Sequence, residues 1–336
     1  MARVTIHDVA RAAGVSVATV SKVVNDRYGV AAGTSERVRQ VIDELGYESS
    51  LVARSLRSHQ THVIGILVAE FEPFSTEILK GVSQAIAGTG YELLAYSGGG
   101  QVGTGVGWER RSLSRLSGTL IDGALLVTPT VVDVTAPVPV VAVDPHTGPS
   151  GLPTVDSDNL RGAVAATEHL LSLGHRRIGF LGGREDLESS RRREEGFRQA
   201  MAAAGVEVDP DLVQVGGYRR ETAVEPAERL LSLADPPTAI FAANDLSALG
   251  VLDVAHRLGL RIPHDLSVVG FDDVPEAVAA EPALTTVRQP IQDMGAAATS
   301  MLLGLIGGAA DDHTHLRLPT SLVVRGSTGP TSRQGA

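Results

Sequence analysis

The sequence predicts an α/β fold in which a small helical head precedes a two-lobed core of doubly wound parallel sheets. Two observations support this prediction. The first 46 residues contain three short amphipathic segments, and from His62 onward continuous apolar runs alternate with amphipathic helical patterns. Apolar strands between amphipathic helices indicate parallel sheets that are covered on both faces. A chain of 336 residues is long enough to form two or three such units.

Residues 4–25 predict a helix-turn-helix. Thr5 and Asp8 have the spacing of a capping box, Gly14 is suited to end the first helix, and Ser16 is suited to cap the second. Two short helices joined in this way are typical of DNA-binding heads, although the same break also occurs in ordinary helical hairpins. The positions expected to face outward at the start of the second helix are Val17, Ala18, Thr19, Ser21 and Lys22.

A third helix is predicted over residues 35–45, with Gly46 as its stop. Residues 50–57 then form a short amphipathic segment that is too short to be a stable helix alone in water. On docking it could fold, because an apolar Leu56 beside arginines suits insertion into a minor groove. A plain linker is the alternative interpretation.

Composition and charge narrow the possible functions. The absence of cysteine excludes disulfides and thiolate sites. The net charge is -10, but residues 1–60 carry eight basic and six acidic side chains, whereas the rest carries 21 basic and 33 acidic ones. A mildly basic head on an acidic body suits a DNA-reading module. The N-terminus lacks an apolar signal segment and no run is long enough to span a bilayer, so a cytoplasmic location is expected.

The core pattern separates into two doubly wound units with a break near residues 156–159. Its predicted strands are 62–68, 91–96, 123–127, 138–143, 177–182, 212–216, 239–243 and 267–271. Its predicted helices are 77–88, 108–117, 161–173, 191–204, 222–234 and 246–258.

Polar side chains follow several of the predicted strands. Asp144, Asn244 and Asp272 come directly after strands, and Arg193 begins the helix after strand 177–182. The carboxyl ends of parallel strands converge, so these side chains are expected to line one cleft for a small molecule. The alternative for Asn244 or Asp245 is a helix N-cap.

Other motifs are weaker. The glycines in residues 98–103 have dinucleotide-fingerprint spacing, but the following strand does not end in an acidic residue and the stretch is more typical of a flexible loop. His313 and His315 have no third metal ligand, and there is no G-x-S-x-G elbow. We therefore expect no cofactor, no metal and no catalytic residues.

Several motifs together resemble those of the lactose/galactose-repressor (LacI/GalR) family of bacterial transcription regulators, and they occur in the order and at the spacing found in that family. They are TIHDVARAAGVSVATVSKVVN, LVARSLRS, LGHRRIGFLGG, RRREEGFRQAM, PTAIFAANDLSALG, IPHDLSVVGFDD and PALTTVRQP. The resemblance implies a helix-turn-helix head, a hinge helix and a core like that of periplasmic sugar-binding proteins. Lys22 departs from the arginine often found there, and lysine lacks a guanidinium fork.

The resemblance also implies domain bounds. We expect a head over residues 1–46 and a hinge helix with linker over 47–61. A core over 62–328 would have one lobe of about 62–158 and 291–318 and another of about 159–290 and 319–328. The end of the chain, 329–336, is expected to be disordered, and a dimer is expected because no tetramer-forming helix follows Gly326.

The implied function is a dimeric repressor that binds a palindromic operator in double-stranded DNA and is released by a sugar or oligosaccharide. Alternatives are a corepressor-dependent regulator, a sugar-binding transport receptor and a nucleotide-dependent enzyme. The DNA-binding residues would be Thr5, Ser16, Val17, Ala18, Thr19, Ser21, Lys22, Asn25, Ala53 and Leu56. The effector-binding residues would be Phe74, Ser75, Asp144, Arg193, Tyr218, Asn244, Asp272 and Gln289.

Overall fold

The structure is a computed structural model that describes residues 4–24, 27–47, 60–98, 107–131, 135–148, 151–309 and 315–331. The chain divides into two compact units. One is built from residues 1–61 and 118–120, and the other from residues 62–117 and 121–336. We refer to them as the head and the core.

The head contains three helices around a small apolar centre. They are α1 (Ile6–Ala13), α2 (Val17–Val24) and α3 (Ala32–Leu45). Val9, Val20 and Val38, one from each helix, have no solvent exposure. Because each helix contributes to the same centre, none of the three needs to be stable alone.

Local signals set the ends of these helices as predicted. Gly14 and Gly46 adopt left-handed conformations that end α1 and α3. The Asp8 carboxylate accepts hydrogen bonds from the Thr5 amide at 3.0 Å and from the Thr5 hydroxyl at 2.6 Å. The Ser16 hydroxyl accepts one from the Thr19 amide at 3.1 Å and so caps α2.

The predicted third helix was wrong in its start, because it begins at Ala32, three residues before the predicted start. Of the positions predicted from helical spacing to face the core, Val38 is buried and Val41 and Ile42 pack against the apolar centre, whereas Leu45 is 38% exposed. The predicted hinge segment, residues 50–57, lies outside the described residues.

The core contains two six-stranded sheets. The first has the order β11-β5-β4-β3-β1-β2 and is parallel throughout, whereas the second has the order β12-β10-β9-β8-β6-β7 with β12 antiparallel to β10. The strands are β1 (Val63–Val68), β2 (Glu92–Ser97), β3 (Gly123–Val127), β4 (Val140–Val143), β5 (Thr154–Ser157), β6 (Ile178–Gly182), β7 (Val213–Val215), β8 (Ala239–Ala242), β9 (Ser267–Asp272), β10 (Thr285–Arg288), β11 (His315–Leu318) and β12 (Ser321–Val323).

Helices connect and cover both sheets. They are α4 (Pro73–Ile86), α5 (Trp108–Leu116), α6 (Asn159–Ser172), α7 (Glu188–Ala203), α8 (Arg220–Leu231), α9 (Asp245–Arg257), α10 (Pro275–Ala279) and α11 (Ile291–Ile306). Each predicted core helix is present, with ends displaced by a few residues. In the described ranges no helix combines the length and apolar character needed to cross a membrane.

The chain passes from the first sheet to the second after β5, returns after β10, and crosses again between β11 and β12. The sequence did not predict these last strands of each sheet. Strands β5, β10, β11 and β12 are three or four residues long and contain polar side chains, so none of them forms the apolar run that marked the others.

The expected disorder from residue 329 was wrong for its first residues. The Gly329 amide donates to the Ser267 hydroxyl at 3.1 Å, and the Thr331 amide donates to the Leu173 carbonyl at 3.0 Å. Residues 332–336 lie outside the described part of the chain.

Helices α4 and α11 pack unusually closely against each other. A Cβ on Gly81 would overlap the backbone carbonyl of Gln292, and one on Gly295 would overlap the backbone carbonyl of Ile78. Each helix therefore carries a glycine where the other helix's backbone approaches.

We expect Gly81→Ala to lower the free energy of unfolding of the core by about 2 kcal/mol, because the added methyl group forces the two helices apart. Urea denaturation measures this. Ser83→Ala, an exposed change on the same helix, is the control and should change it by less than about 0.5 kcal/mol. Equal midpoints for the two variants would contradict the close packing.

Candidate functional site

Four of the eight predicted effector residues lie at the carboxyl ends of strands from both sheets. Asp144 follows β4 in the first sheet, and Asn244, Asp272 and Gln289 lie at the ends of β8, β9 and β10 in the second. We call this region the interlobe site. Its residues come from distant parts of the sequence, and the parallel sheets bring them together.

Arg193, in the second turn of α7, is the centre of the interlobe site and is only 3% exposed. Its Nε donates to the Asn159 side-chain oxygen at 2.8 Å, and its Nη1 lies 3.4 Å from an Asp272 carboxylate oxygen. The guanidinium carbon lies 3.8 Å from the centre of the Phe271 ring and 5.5 Å from that of Tyr218. A buried cation is thus held by a carboxylate, an amide and aromatic faces.

A hydrogen-bonded chain joins the two sheets through this site. The Gln289 amide donates to Asp272 at 2.6 Å, and the Ser157 hydroxyl at the end of β5 donates to the Gln289 side-chain oxygen. All three side chains are buried. Predicted site residues of the second sheet are therefore connected directly to the first.

Three further contacts connect the lobes at the margin of the site. Arg219 and Glu70 form an ion pair, and the His146 ring lies 3.4 Å from the Asp186 carboxylate. The Glu188 amide at the start of α7 also donates to the His146 carbonyl at 2.8 Å. Separating the lobes requires these contacts to break.

Burial shifts the ionisation of both acids in the site. It raises the pKa of Asp144 to about 6 and the pKa of Asp272 to about 7, although Arg193 opposes both shifts. Nearby negative charge adds to the effect, from Asp156 on Asp144 and from Glu72 on Asp272. Each of the two carboxyls therefore changes between its protonated and its ionised form near neutral pH.

Backbone strain is concentrated at the same place. Positive φ angles occur at Asp144 (48°), Tyr218 (67°), Asp272 (122°) and Asp273 (62°), and at Thr128 (47°) after β3. Non-glycine residues rarely adopt such angles, and they persist where the surrounding structure fixes them. In the described part of the chain, five of the six non-glycine residues with positive φ thus lie at or after the carboxyl ends of strands, and the sixth, His62, precedes β1.

The Tyr218 hydroxyl lacks a hydrogen-bond partner. It is buried, and although Ser189 lies near it, the hydroxyl makes no well-formed hydrogen bond. Burial raises the pKa of this phenol, so it remains a neutral donor. A buried hydroxyl without a partner is costly unless a ligand satisfies it.

The alternative role considered for Asn244 is present in the structure. Its side-chain oxygen accepts from the Ser247 amide at 2.9 Å and caps α9, while its side-chain nitrogen donates to the Tyr218 carbonyl at 3.1 Å. Asp245 does not act as the cap. It is fully buried and accepts from the Val274 amide at 3.0 Å and from the Thr286 hydroxyl at 2.5 Å.

Phe74 and Ser75 form the first turn of α4. Glu72, which the sequence did not indicate, caps this helix. Phe74 is half-buried and packs against the apolar centre of the first lobe, and Ser75 is buried.

Several residues of this site have no signal in the sequence. Asn159, Ser189 and Glu72 are ordinary polar residues at helix starts, and only the fold brings them to Arg193, Asp144 and Asp272 respectively. An N-cap pattern locates such residues on a helix but does not identify their partners across the molecule.

The predicted DNA-reading residues lie along α2 and its flanks in the head. Ser16, Ala18 and Lys22 are exposed, and Thr19 and Ser21 are partly exposed. Val17 is also partly exposed, and the rest of its side chain packs against the apolar centre of the head.

Thr5 is exposed, but its hydroxyl bonds to Asp8. The predicted contacts Asn25, Ala53 and Leu56 lie outside the described residues.

No group of side chains with metal-ligand character occurs in the described ranges. His315, one of the two histidines in the weak metal motif, lies with its Nε2 3.0 Å from an Asp156 carboxylate oxygen. Arg317 binds the same carboxylate through both oxygens, at 2.9 and 2.8 Å. This histidine belongs to an ion-pair cluster at the edge of the first sheet, and His313 lies outside the described residues.

A helix-turn-helix head together with a small-molecule-type binding site between two α/β lobes defines the class of ligand-responsive DNA-binding regulators. Comparison with known proteins agrees with this. Residues 5–50 match the model of bacterial regulatory proteins of the lacI family, and residues 167–328 match a periplasmic binding protein-like domain.

Similar proteins extend over the whole chain. The HTH-type transcriptional regulator CelR of Thermobifida fusca is 36% identical, with 97% of this chain and 98% of CelR covered. The HTH-type transcriptional repressor PurR of Photobacterium profundum is 35% identical, with 96% and 98% covered. The protein belongs to the lacI family of bacterial regulatory proteins, and it is a DNA-binding transcriptional regulator.

Solved structures show the same architecture. A complex of the transcriptional regulator CelR with cellobiose matches with a TM-score of 0.73 at 34% identity, covering 97% of this chain and 100% of that one. The Lac repressor dimer bound to operator and an anti-inducer matches with a TM-score of 0.82 at 27% identity, covering 98% and 100%. The predicted family and fold class are confirmed.

The raised pKa values of Asp144 and Asp272 predict a pH dependence of stability. A carboxyl that holds its proton more tightly in the folded state stabilises the fold at low pH, and that contribution disappears as pH rises through the folded pKa. The free energy of unfolding of Asp272→Asn relative to wild type should therefore rise between pH 4 and pH 7.5. Urea denaturation of the core at several pH values measures it.

Asp211→Asn makes the same change of side chain at an exposed position before β7 and is the control. A profile for Asp272→Asn that does not change with pH would contradict the assigned burial of this carboxyl.

Proposed function

We propose that the protein is a dimeric transcriptional repressor that is released from a palindromic operator when a sugar or oligosaccharide binds in the interlobe site. The observation that carries the proposal is the buried Arg193–Asp272–Gln289 network at the carboxyl ends of the second sheet, which Ser157 joins to the first sheet. The role is binding and release rather than catalysis.

The chemistry of the site suits a hydroxyl-rich ligand. Carboxylates accept hydrogen bonds from paired hydroxyls, and the Arg193 guanidinium and the Gln289 amide donate them. The aromatic ring of Phe74 or Tyr218 provides a face for the apolar side of a sugar ring. The CelR relative whose structure contains cellobiose supports a carbohydrate as the effector.

In the head, we propose that Val17, Ala18 and Lys22 contact base edges. Short polar side chains would position the head on the phosphates, namely those of Thr5, Ser16, Thr19, Ser21 and Asn25. Residues 47–61 would form a hinge whose Ala53 and Leu56 enter the minor groove. The Lac repressor structure is of a dimer bound to its operator, which supports two heads on a two-fold symmetric site.

Effector binding and operator binding are then coupled, and the coupling is reciprocal in free energy. A ligand that prefers one arrangement of the lobes can lower operator affinity. The size of this effect is limited by the ratio of the ligand's own affinities for the two arrangements. The contacts between Arg219 and Glu70 and between His146 and Asp186 are the ones that such a rearrangement would change.

We expect Lys22→Ala to weaken operator binding by about ten- to hundredfold, because one base contact contributes roughly 1–3 kcal/mol. The operator is first selected from random palindromic duplexes with the full-length protein, and affinity is measured by fluorescence anisotropy at fixed salt. Arg37→Ala removes the same charge from an exposed position on α3. Equal losses for the two variants would mean that Lys22 contributes only net charge.

The second test concerns the effector. Cellobiose, ribose, glucose and other neutral sugars are added to the protein–operator complex, and we expect one of them to lower operator affinity by at least about tenfold. Asp272→Asn should abolish this response, whereas the exposed control Asp211→Asn should keep it. A sugar that strengthens operator binding would instead identify a corepressor, and failure to bind any duplex would favour a transport receptor.

A further inference from the structure

Helix α4 begins after the carboxyl end of β1, in the same parallel sheet as β4 and β5, and the loop before it reaches the second lobe through the Glu70–Arg219 ion pair. Glu72 is the N-cap residue, with extended backbone angles. Its carboxylate accepts hydrogen bonds from the Phe74 amide at 2.9 Å and from the Ser75 amide at 2.9 Å, and the Ser75 hydroxyl donates to the same group. Both carboxylate oxygens are therefore used.

This arrangement occupies the place where an anion would otherwise bind. Free amides at the start of a long helix, together with the helix dipole, are the common protein site for phosphate groups. Helix α4 has 14 residues, and its first amides already bind the Glu72 carboxylate. A ligand phosphate would have to displace a charged group that is covalently part of the chain.

The surrounding charges also disfavour an anion. Glu72 is near enough to Asp272 to disfavour its ionised form, and Asp144 experiences the same repulsion from Asp156 and Glu188. Arg193 favours the ionised forms of both acids, but its positive charge is already shared with Asp272, whose carboxylate oxygen lies 3.4 Å from Nη1. Its Nε donates to the Asn159 side-chain oxygen, and its Nη1 donates to the Ala243 carbonyl at 2.5 Å.

Arg219, at the margin of the site, forms an ion pair with Glu70 across the lobes. A phosphate ester carries about -1.5 to -2 charges at neutral pH, so it would face several carboxylates with little free positive charge. The repulsion from even one like charge at close range corresponds to about tenfold or more in affinity.

We propose that Glu72 is a specificity-determining residue that excludes phosphorylated and other anionic metabolites from the interlobe site, so that the effector is an uncharged, hydroxyl-rich molecule. This inference rests on the proposed function for the existence of the effector site. It adds that the regulator responds to a sugar before its phosphorylation and not to the phosphorylated product.

The test uses the full-length protein and calorimetric titration with four probes: glucose, cellobiose, glucose 6-phosphate and inorganic phosphate. Glu72→Gln removes the charge with little change in shape, and Glu72→Ser replaces it with another good N-cap should the first variant fold poorly. Glu225→Gln, on the exposed face of α8 where it pairs with Arg229, is the matched control.

We expect wild type and Glu225→Gln to bind inorganic phosphate and glucose 6-phosphate at least about tenfold more weakly than the Glu72 variants do. Equal affinities for these anions in all four proteins would overturn the inference, as would wild-type binding of glucose 6-phosphate as tightly as the better neutral sugar.

The two proposals fail in different ways. If no neutral sugar binds or changes operator affinity, the proposed function fails, while the comparison of phosphate binding between wild type and the Glu72 variants still decides the role of Glu72.

Discussion

The contacts of the buried Arg193 guanidinium are the interactions on which the interlobe site depends. A charge without water around it is tolerable only when hydrogen bonds and an opposite charge replace the lost hydration. Asp272 and Asn159 provide these, and Phe271 covers the group from one side. The partners come from β9 and from the start of α6, so the charge is stable only when the second lobe is fully assembled. The site and the fold are stabilised by the same contacts.

Much of the fold could be predicted because its signals are local. Glycines at 14 and 46 end helices by their backbone freedom, and long apolar strands such as β1 and β9 identify buried parallel sheets. The strands that complete each sheet could not be predicted, because β11 and β12 are short and polar. Their place is set by long-range pairing. Strand β11 pairs with β5, which lies more than a hundred residues earlier, and β12 pairs with β10, which lies tens of residues earlier. Such long-range pairing leaves no pattern in the neighbouring sequence.

The candidate site shows the same limit. Position after a strand was sufficient to locate Asp144 and Asp272, since topology alone places strand ends at one edge. It was not sufficient to distinguish Asn244, which caps α9, from Asp245, which is buried beneath the site. Glu72 had no recognisable signal, because its importance depends on the acids that it faces across the molecule. Which charged residues lie near one another depends on the folded structure and has no pattern in the sequence.

The glycine contacts between α4 and α11 have a mechanical consequence. Where the backbones approach at Gly81 and Gly295, no side chain separates the two helices, so neither can slide along the other there without a backbone clash. Helix α4 begins at Pro73, next to its cap Glu72, and α11 begins directly after the second crossing of the chain between the lobes. A displacement of α4 along its axis is therefore passed to the segment where the chain returns from the second lobe.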